Sequence, residues 1–236
     1  MQSLAEVLEG RHALVTGGSR GIGRATAAAL AAAGARVTIV ARGEKTLARC
    51  AQVLGVEARV ADVADEASVA SLAESLERVP DIIVHAAGAF ALERVESTSI
   101  ETFDRMIAVN LRAAFLLMRA FIPGMRERDS GHFLSIGSIA GRVPLPGNGA
   151  YAASKFGLRG LHAVLNTELR GSGVRATLVE PAATDTPLWD AVDREAHPGL
   201  PERAEMMQAE AVADAVLYAV TQPAAVAVRN IILERS

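Results

Sequence analysis

Only one cysteine, Cys50, occurs in the 236 residues. It cannot close a disulfide within the chain and has no cysteine neighbour with which to hold zinc, a usage that fits a reducing cytoplasm. A basic excess is missing too: 24 Lys and Arg stand against 27 Asp and Glu, for a formal net charge of -3. Nucleic acid and anionic membranes therefore find no electrostatic footprint, and no acidic or basic tail is present. The start of the chain, residues 1–11, has acidic side chains and no apolar core of the signal-peptide kind. Alanine-rich 25–35 is too short and too weakly hydrophobic to cross a bilayer. The five histidines are scattered, so no metal site is expected. These absences predict a soluble cytoplasmic protein.

What is present is apolar material, 50% of the residues, enough for one sizeable core and leaving no room for a second domain. Apolar runs, most of them rich in β-branched residues, recur at 12–16, 37–40, 82–86, 132–136, 174–179 and 228–233, with a weaker one at 56–60. Helix-forming stretches lie between them at 22–33, 44–54, 66–77, 100–128, 149–170 and 209–221. Strands that are apolar nearly throughout and alternate with helices predict an α/β fold, a doubly wound parallel sheet with helices on both faces.

The first strand runs straight into Thr16-Gly17-Gly18-Ser19-Arg20-Gly21-Ile22-Gly23 and a helix. Glycines at 17, 21 and 23 let the backbone turn tightly and approach a pyrophosphate at the helix N-terminus. The second strand ends at Ala41-Arg42 with no acid before Glu44, where sites for an unphosphorylated ribose usually place a carboxylate. Arg42 and Arg20 can instead converge on a 2′-phosphate, which predicts NADP(H) over NAD(H). Asp62-Val63 follows the third strand and can meet the adenine amino group. The fourth strand leaves through His85-Ala86-Ala87-Gly88, small residues that let a cofactor lie against the backbone, with His85 read as packing. Asn110, an amide among apolar neighbours in a long helical stretch, needs hydrogen-bond partners.

Tyr151 and Lys155 stand four apart on one helix, so both leave the same face. An ammonium about 5 Å from the phenol, at an effective dielectric of about 20, favours the phenolate by roughly 3 kcal/mol. Ser138, just past the fifth strand, can hydrogen-bond a carbonyl oxygen that faces the tyrosine. The three together suit proton transfer at a carbonyl or alcohol.

Taken in order, these motifs resemble the short-chain dehydrogenase/reductase family over almost the whole chain. The resemblance implies a Rossmann-type single domain and hydride transfer between a nicotinamide and a carbonyl or alcohol. It assigns Tyr151 as general acid or base and Lys155 as the group that lowers its pKa and binds the nicotinamide ribose. Ser138 steadies the substrate oxygen, and Asn110 supports a water in a proton relay. Contacts to the cofactor are implied for Gly17, Ser19, Arg20, Gly21, Ile22, Gly23, Arg42, Asp62, Val63, Ala87, Gly88, Tyr151, Lys155, Pro181 and Thr186. Three departures from the family pattern stand out. His85-Ala86 replaces the usual Asn-Asn, Ala182 replaces the glycine after Pro181, and the C-terminal Val228 to Ser236 lacks the Gly-rich ending of ketoacyl reductases.

A small carbonyl or alcohol substrate is expected over the nicotinamide. Phe90, Val143, Leu145, Leu188 and Trp189 would form an apolar wall, and Arg142, Asp185, Arg194 and His197 would add polarity. The proline-containing 185–205, with Pro187, Pro198 and Pro201, reads as a substrate lid. Small residues Ala108, Ala113, Ala114, Ala152, Ala153 and Ala163 suggest faces that pack copies together, as a homotetramer or homodimer. The alternatives are a redox-sensing dinucleotide-binding regulator without turnover, or an enoyl reductase or epimerase of the same family.

Overall fold

The computed structural model of the protein describes residues 6–193, 197 and 199–236. Arg194 and Pro198, named above for the cavity and the lid, lie outside them, as do residues 1–5. The strands are β1 (His12–Thr16), β2 (Arg36–Ala41), β3 (Glu57–Val60), β4 (Ile82–His85), β5 (Gly131–Ile136), β6 (Val174–Pro181), a short pair β7 (Thr184–Asp185) and β8 (Met207–Gln208), and β9 (Asn230–Leu233). The main sheet is parallel throughout, in the order β3-β2-β1-β4-β5-β6-β9, the Rossmann-type arrangement expected. β1, β4 and β5 are buried along their whole length, as strands covered on both faces must be.

The helices are α1 (Gly21–Ala32), α2 (Glu44–Leu54), α3 (Glu66–Glu74), α4 (Ile100–Ile107), α5 (Ala113–Glu127), α6 (Gly149–Glu168) and α7 (Ala209–Thr221). Their ends follow local chemistry. The side chains of Asp65 and Ser99 cap α3 and α4 by accepting from the backbone N–H of Ser68 and Thr102. Gly55, at φ +66°, closes α2 in the left-handed conformation.

One core layer packs α1, α2 and α7 against the sheet through Leu30, Leu47 and Val216, and the other packs α3 and α5 through Leu72, Leu117 and Phe121. The stretch 100–127 is long and apolar enough, by composition, to cross a membrane, yet half of its most apolar window is buried in the fold, as in a core helix.

Two expectations are corrected here. The single helix over 100–128 is α4 and α5 joined by a π-helical turn, Ala108–Arg112. Of the small residues expected on packing faces between copies, Ala113 and Ala114 are 0% exposed inside the chain's own core. On α6 Ala153 and Ala163 are exposed as expected, and the large outward apolar side chains of α5 and α6 are Phe115, Phe156 and Val164.

Candidate active site

Strand ends and helix starts meet at the carboxyl edge of the sheet, where two cavities share a wall made of Ile22, Ala86, Ala87, Gly88, Thr186 and Leu188. The first, of about 520 Å³, lies over the turn between β1 and α1. Gly17 has φ +67°, and a Cβ there would lie 2.7 Å from the Ala87 backbone; a Cβ on Gly23 would lie 2.3 Å from the Gly17 carbonyl oxygen. Only glycine lets these backbones meet, which opens the α1 N-terminus to an anion. Ser19, Arg20, Gly21, Arg42, Asp62 and Val63 complete this cleft. Arg42 Nη1 is 3.7 Å from Asp62 Oδ2, and Asp62 Oδ1 accepts from the Ala64 N–H. The cradle, with its glycine turn, helix N-terminus and the cations Arg20 and Arg42, suits an anionic dinucleotide.

The second cavity, of about 740 Å³, is lined by Ser138, Tyr151, Lys155 and Pro181, together with Phe90, Leu145, Leu188, Trp189 and His197 from the expected wall. The Tyr151 ring meets Phe90 edge-on, with centroids 4.8 Å apart, and Phe90 in turn packs on Trp189. Ser138 caps the short turn Ile139–Gly141, its Oγ accepting from the Ala140 N–H at 3.1 Å. The space on both sides of it is tight: a Cβ on Gly141 would lie 2.9 Å from the Lys155 carbonyl oxygen, and one on Gly137 would lie 3.0 Å from Glu180 Cγ. The Ser138 segment is thus wedged between α6 and β6.

The electrostatics differ from the expectation. Burial pushes the Tyr151 phenol up to about 12, and a hydrogen bond with Ser138 works the other way without overcoming it. Lys155 stands beside the Tyr151 ring. Its Nζ donates to the Ile136 carbonyl at 2.9 Å, lies 5.6 Å from the Tyr151 ring centroid, and is itself pushed down to about 8 by burial. Desolvation disfavours both charged forms, and the amine is tied to backbone.

Asn110 stands in the π-helical turn at 0% exposure and lines neither cavity. Its Nδ2 donates to the Ala89 carbonyl (2.9 Å) and Ser154 Oγ (3.0 Å), and its Oδ1 accepts from the Ala89 N–H (2.8 Å). The amide therefore clamps the segment after β4 to the helix that carries Tyr151 and Lys155. Every other residue expected at the site lines one of the two cavities.

Within the expected substrate wall, Val143, Arg142 and Asp185 are not among the lining residues. Arg142 is bound through Nε (2.8 Å) and Nη2 (2.5 Å) to Oε2 of Glu180, which is 1% exposed. Asp185 accepts from Arg203, which also bonds Asp190. Sequence reasoning placed Thr16 in the cofactor turn without its partners, His85 Nδ1 (3.1 Å) and the Ala87 N–H (3.3 Å) at its Oγ1, and passed over Glu180, a buried acid one residue before the end of β6. His85 is 1% exposed and pushed down to about 3 by burial, a packed neutral ring as expected.

A family model described as short chain dehydrogenase matches residues 11–197. An uncharacterised oxidoreductase of Staphylococcus epidermidis is 33% identical over 234 residues, covering 97% of this chain and 98% of that one. Among solved structures, the closed form of a serine dehydrogenase complexed with NADP+ superposes with a TM-score of 0.85 at 29% identity, over 94% of this chain and 93% of that one. An alcohol dehydrogenase from the archaeon Thermococcus sibiricus, complexed with 5-hydroxy-NADP, gives a TM-score of 0.83 at 30% identity, over 96% and 98% of the two chains. With the glycine cradle, the paired cavities and the Ser138, Tyr151, Lys155 grouping all in place, this chain belongs to the short-chain dehydrogenase family.

Proposed function

We propose that the protein is an NADP(H)-dependent carbonyl reductase, reversible as an alcohol dehydrogenase, that acts on a small carbonyl or alcohol. The observation that carries this is the placement of Ser138, Tyr151 and Lys155 around one cavity that shares a wall with the glycine-lined cleft. Bound in that cleft, a nicotinamide dinucleotide supplies or accepts the hydride. Ser138 holds the substrate oxygen, and the Tyr151 hydroxyl gives a proton to it in reduction or takes one in oxidation. Lys155 positions the Tyr151 face of α6 through its bond to Ile136 and offers a cation to the ribose. Asn110 holds the loop after β4 in register with that face. Preference for NADP(H) is supported by Arg20 and Arg42 at the ribose end and by the NADP-bound relatives.

Segment 185–205 serves as a lid: Leu188, Trp189, His197 and Leu200 from it line the cavity, and Arg203 ties Asp185 to Asp190. The protein works in the cytoplasm as a homotetramer or homodimer, supported by the exposed Phe115, Phe156 and Val164 on adjacent helices. Light scattering at micromolar concentration tests the assembly, and a monomer mass would refute it.

The deciding experiment is titration of the purified protein with NADPH and NADH, followed by turnover of a ketone panel by the wild type and Tyr151→Phe. Tighter NADPH binding is expected. Tyr151→Phe should keep that binding and lose about 10²- to 10⁴-fold in kcat. Unchanged turnover by the variant would overturn the assignment of Tyr151.

A further inference from the structure

The substrate cavity has a charged outer end. Ser138 and Tyr151 line it together with apolar Leu92, Trp189 and Leu200, and the exposed Arg235 and Glu205 line it where it meets solvent. Arg235 reaches the rim because the C-terminal segment is anchored twice. β9 pairs with the end of β6 at Pro181–Leu233, where the Ala182 N–H donates to the Leu233 carbonyl at 2.8 Å. Two residues on, Arg235 Nη1 donates to the Ala204 carbonyl at 2.8 Å. That bond uses one nitrogen of the guanidinium and leaves Nη2 and Nε, two donors of a fixed fork. Arg235 forms no ion pair among the described residues. Glu205 is engaged otherwise, its Oε2 accepting from the Glu202 N–H at 2.8 Å. The other polar side chains of the wall include Asn148, Thr184, Thr186 and His197, none of which carries the fixed positive charge of an arginine.

We propose that the substrate is an oxo acid, or in the other direction a hydroxy acid, whose carboxylate is held by Arg235 while its carbonyl or hydroxyl lies against Ser138 and Tyr151. An apolar passage ending in an unpaired, pre-oriented guanidinium matches a short apolar body with an anionic end. Arg235 is a specificity-determining residue at a distance from the reacting carbon, so it acts on binding. Glu205 repels the same carboxylate and sets a ceiling on its affinity. This inference rests on the reading of the cavity as a carbonyl-reducing site.

The test is steady-state kinetics with a series of 2-, 3- and 4-oxo acids and their methyl esters, using the wild type, Arg235→Gln, Arg235→Lys and Glu205→Gln. The wild type should favour at least one acid over its ester. Arg235→Gln should lower kcat/KM for that acid by roughly tenfold or more, chiefly through KM, and leave the ester unchanged. Arg235→Lys should keep most of the acid preference, and Glu205→Gln should raise it. Equal effects of Arg235→Gln on acid and ester, or no acid preference in a wild type that reduces the esters, would overturn the inference and leave the reductase reading standing. Absence of turnover with every acid and ester would overturn the reductase reading and this inference with it.

Discussion

Lowering the pH from about 7.5 to about 5.5 should cost this protein about 4 kcal/mol of folding stability, through three histidines sealed in its interior. His85, His132 and His162 are each no more than 1% exposed, and burial holds each at about 3 rather than the ordinary 6.5. A base whose folded pKa lies below its unfolded value stays neutral in the fold while the unfolded chain takes up a proton. Stability is therefore complete above the unfolded pKa and drains as the pH falls from 6.5 towards 3. Between the two pH values above, each histidine loses about 1.4 kcal/mol, a large share when summed against a total stability of about 5–15 kcal/mol. Urea unfolding at fixed ionic strength and protein concentration reads this directly.

His162 isolates the cause. It packs against Phe133 with ring centroids 6.1 Å apart, and neither ring nitrogen has a hydrogen-bond partner among the described residues. His162→Leu removes a polar group that gains nothing from its burial, so the variant should be as stable as the wild type or more so at neutral pH. It should also shed about 1.4 kcal/mol of the acid loss. Equal unfolding free energies at the two pH values in the wild type, or an undiminished acid loss in His162→Leu, would refute the reasoning.

Two further outcomes follow from the geometry. Arg142→Met strands the Glu180 carboxylate inside the protein and should cost about 3–5 kcal/mol, lowering Tm by roughly 10 °C, whereas Glu180→Gln removes the charge and should cost less; equal melting temperatures for the two variants would contradict this. Gly23→Ala drives a Cβ to 2.3 Å from the Gly17 carbonyl oxygen and should abolish measurable NADPH binding by fluorescence, while Gly160→Ala, on α6 outside both cavities and with nothing within 4 Å, should bind as the wild type does.

The layout of the sheet was legible because its central strands are buried on both faces and so read as unbroken apolar runs; the strand ends then placed Thr16, Gly88 and Ser138 at one edge. Tyr151 and Lys155 were legible from helical spacing read together with the glycine turn and Ser138. Pairings between distant parts of the chain were not. Arg142 and Asp185 look like cavity residues in the sequence, yet Glu180 and Arg203 engage them, and no local pattern announces either partner. The anchoring of Lys155 was not legible for a related reason. Spacing shows that two side chains share a face, and it is silent on the Ile136 carbonyl that holds the amine. Arg235 reaches the cavity only because β9 brings the end of the chain back beside β6.

The π-helical turn at Ala108–Arg112 fixes the rotational phase of everything that follows it. One extra residue in an otherwise α-helical stretch turns the downstream helix by about 100° relative to an uninterrupted one. The helical wheel drawn from α4 therefore does not carry over to α5, and the side that α5 turns to the sheet is set by an insertion. Deleting a single residue here would restore a continuous wheel and swing buried Leu117 and Phe121 away from the core while moving outward Phe115 off its present face. The helix thus tolerates changes of side chain at its surface far better than changes of length at this turn.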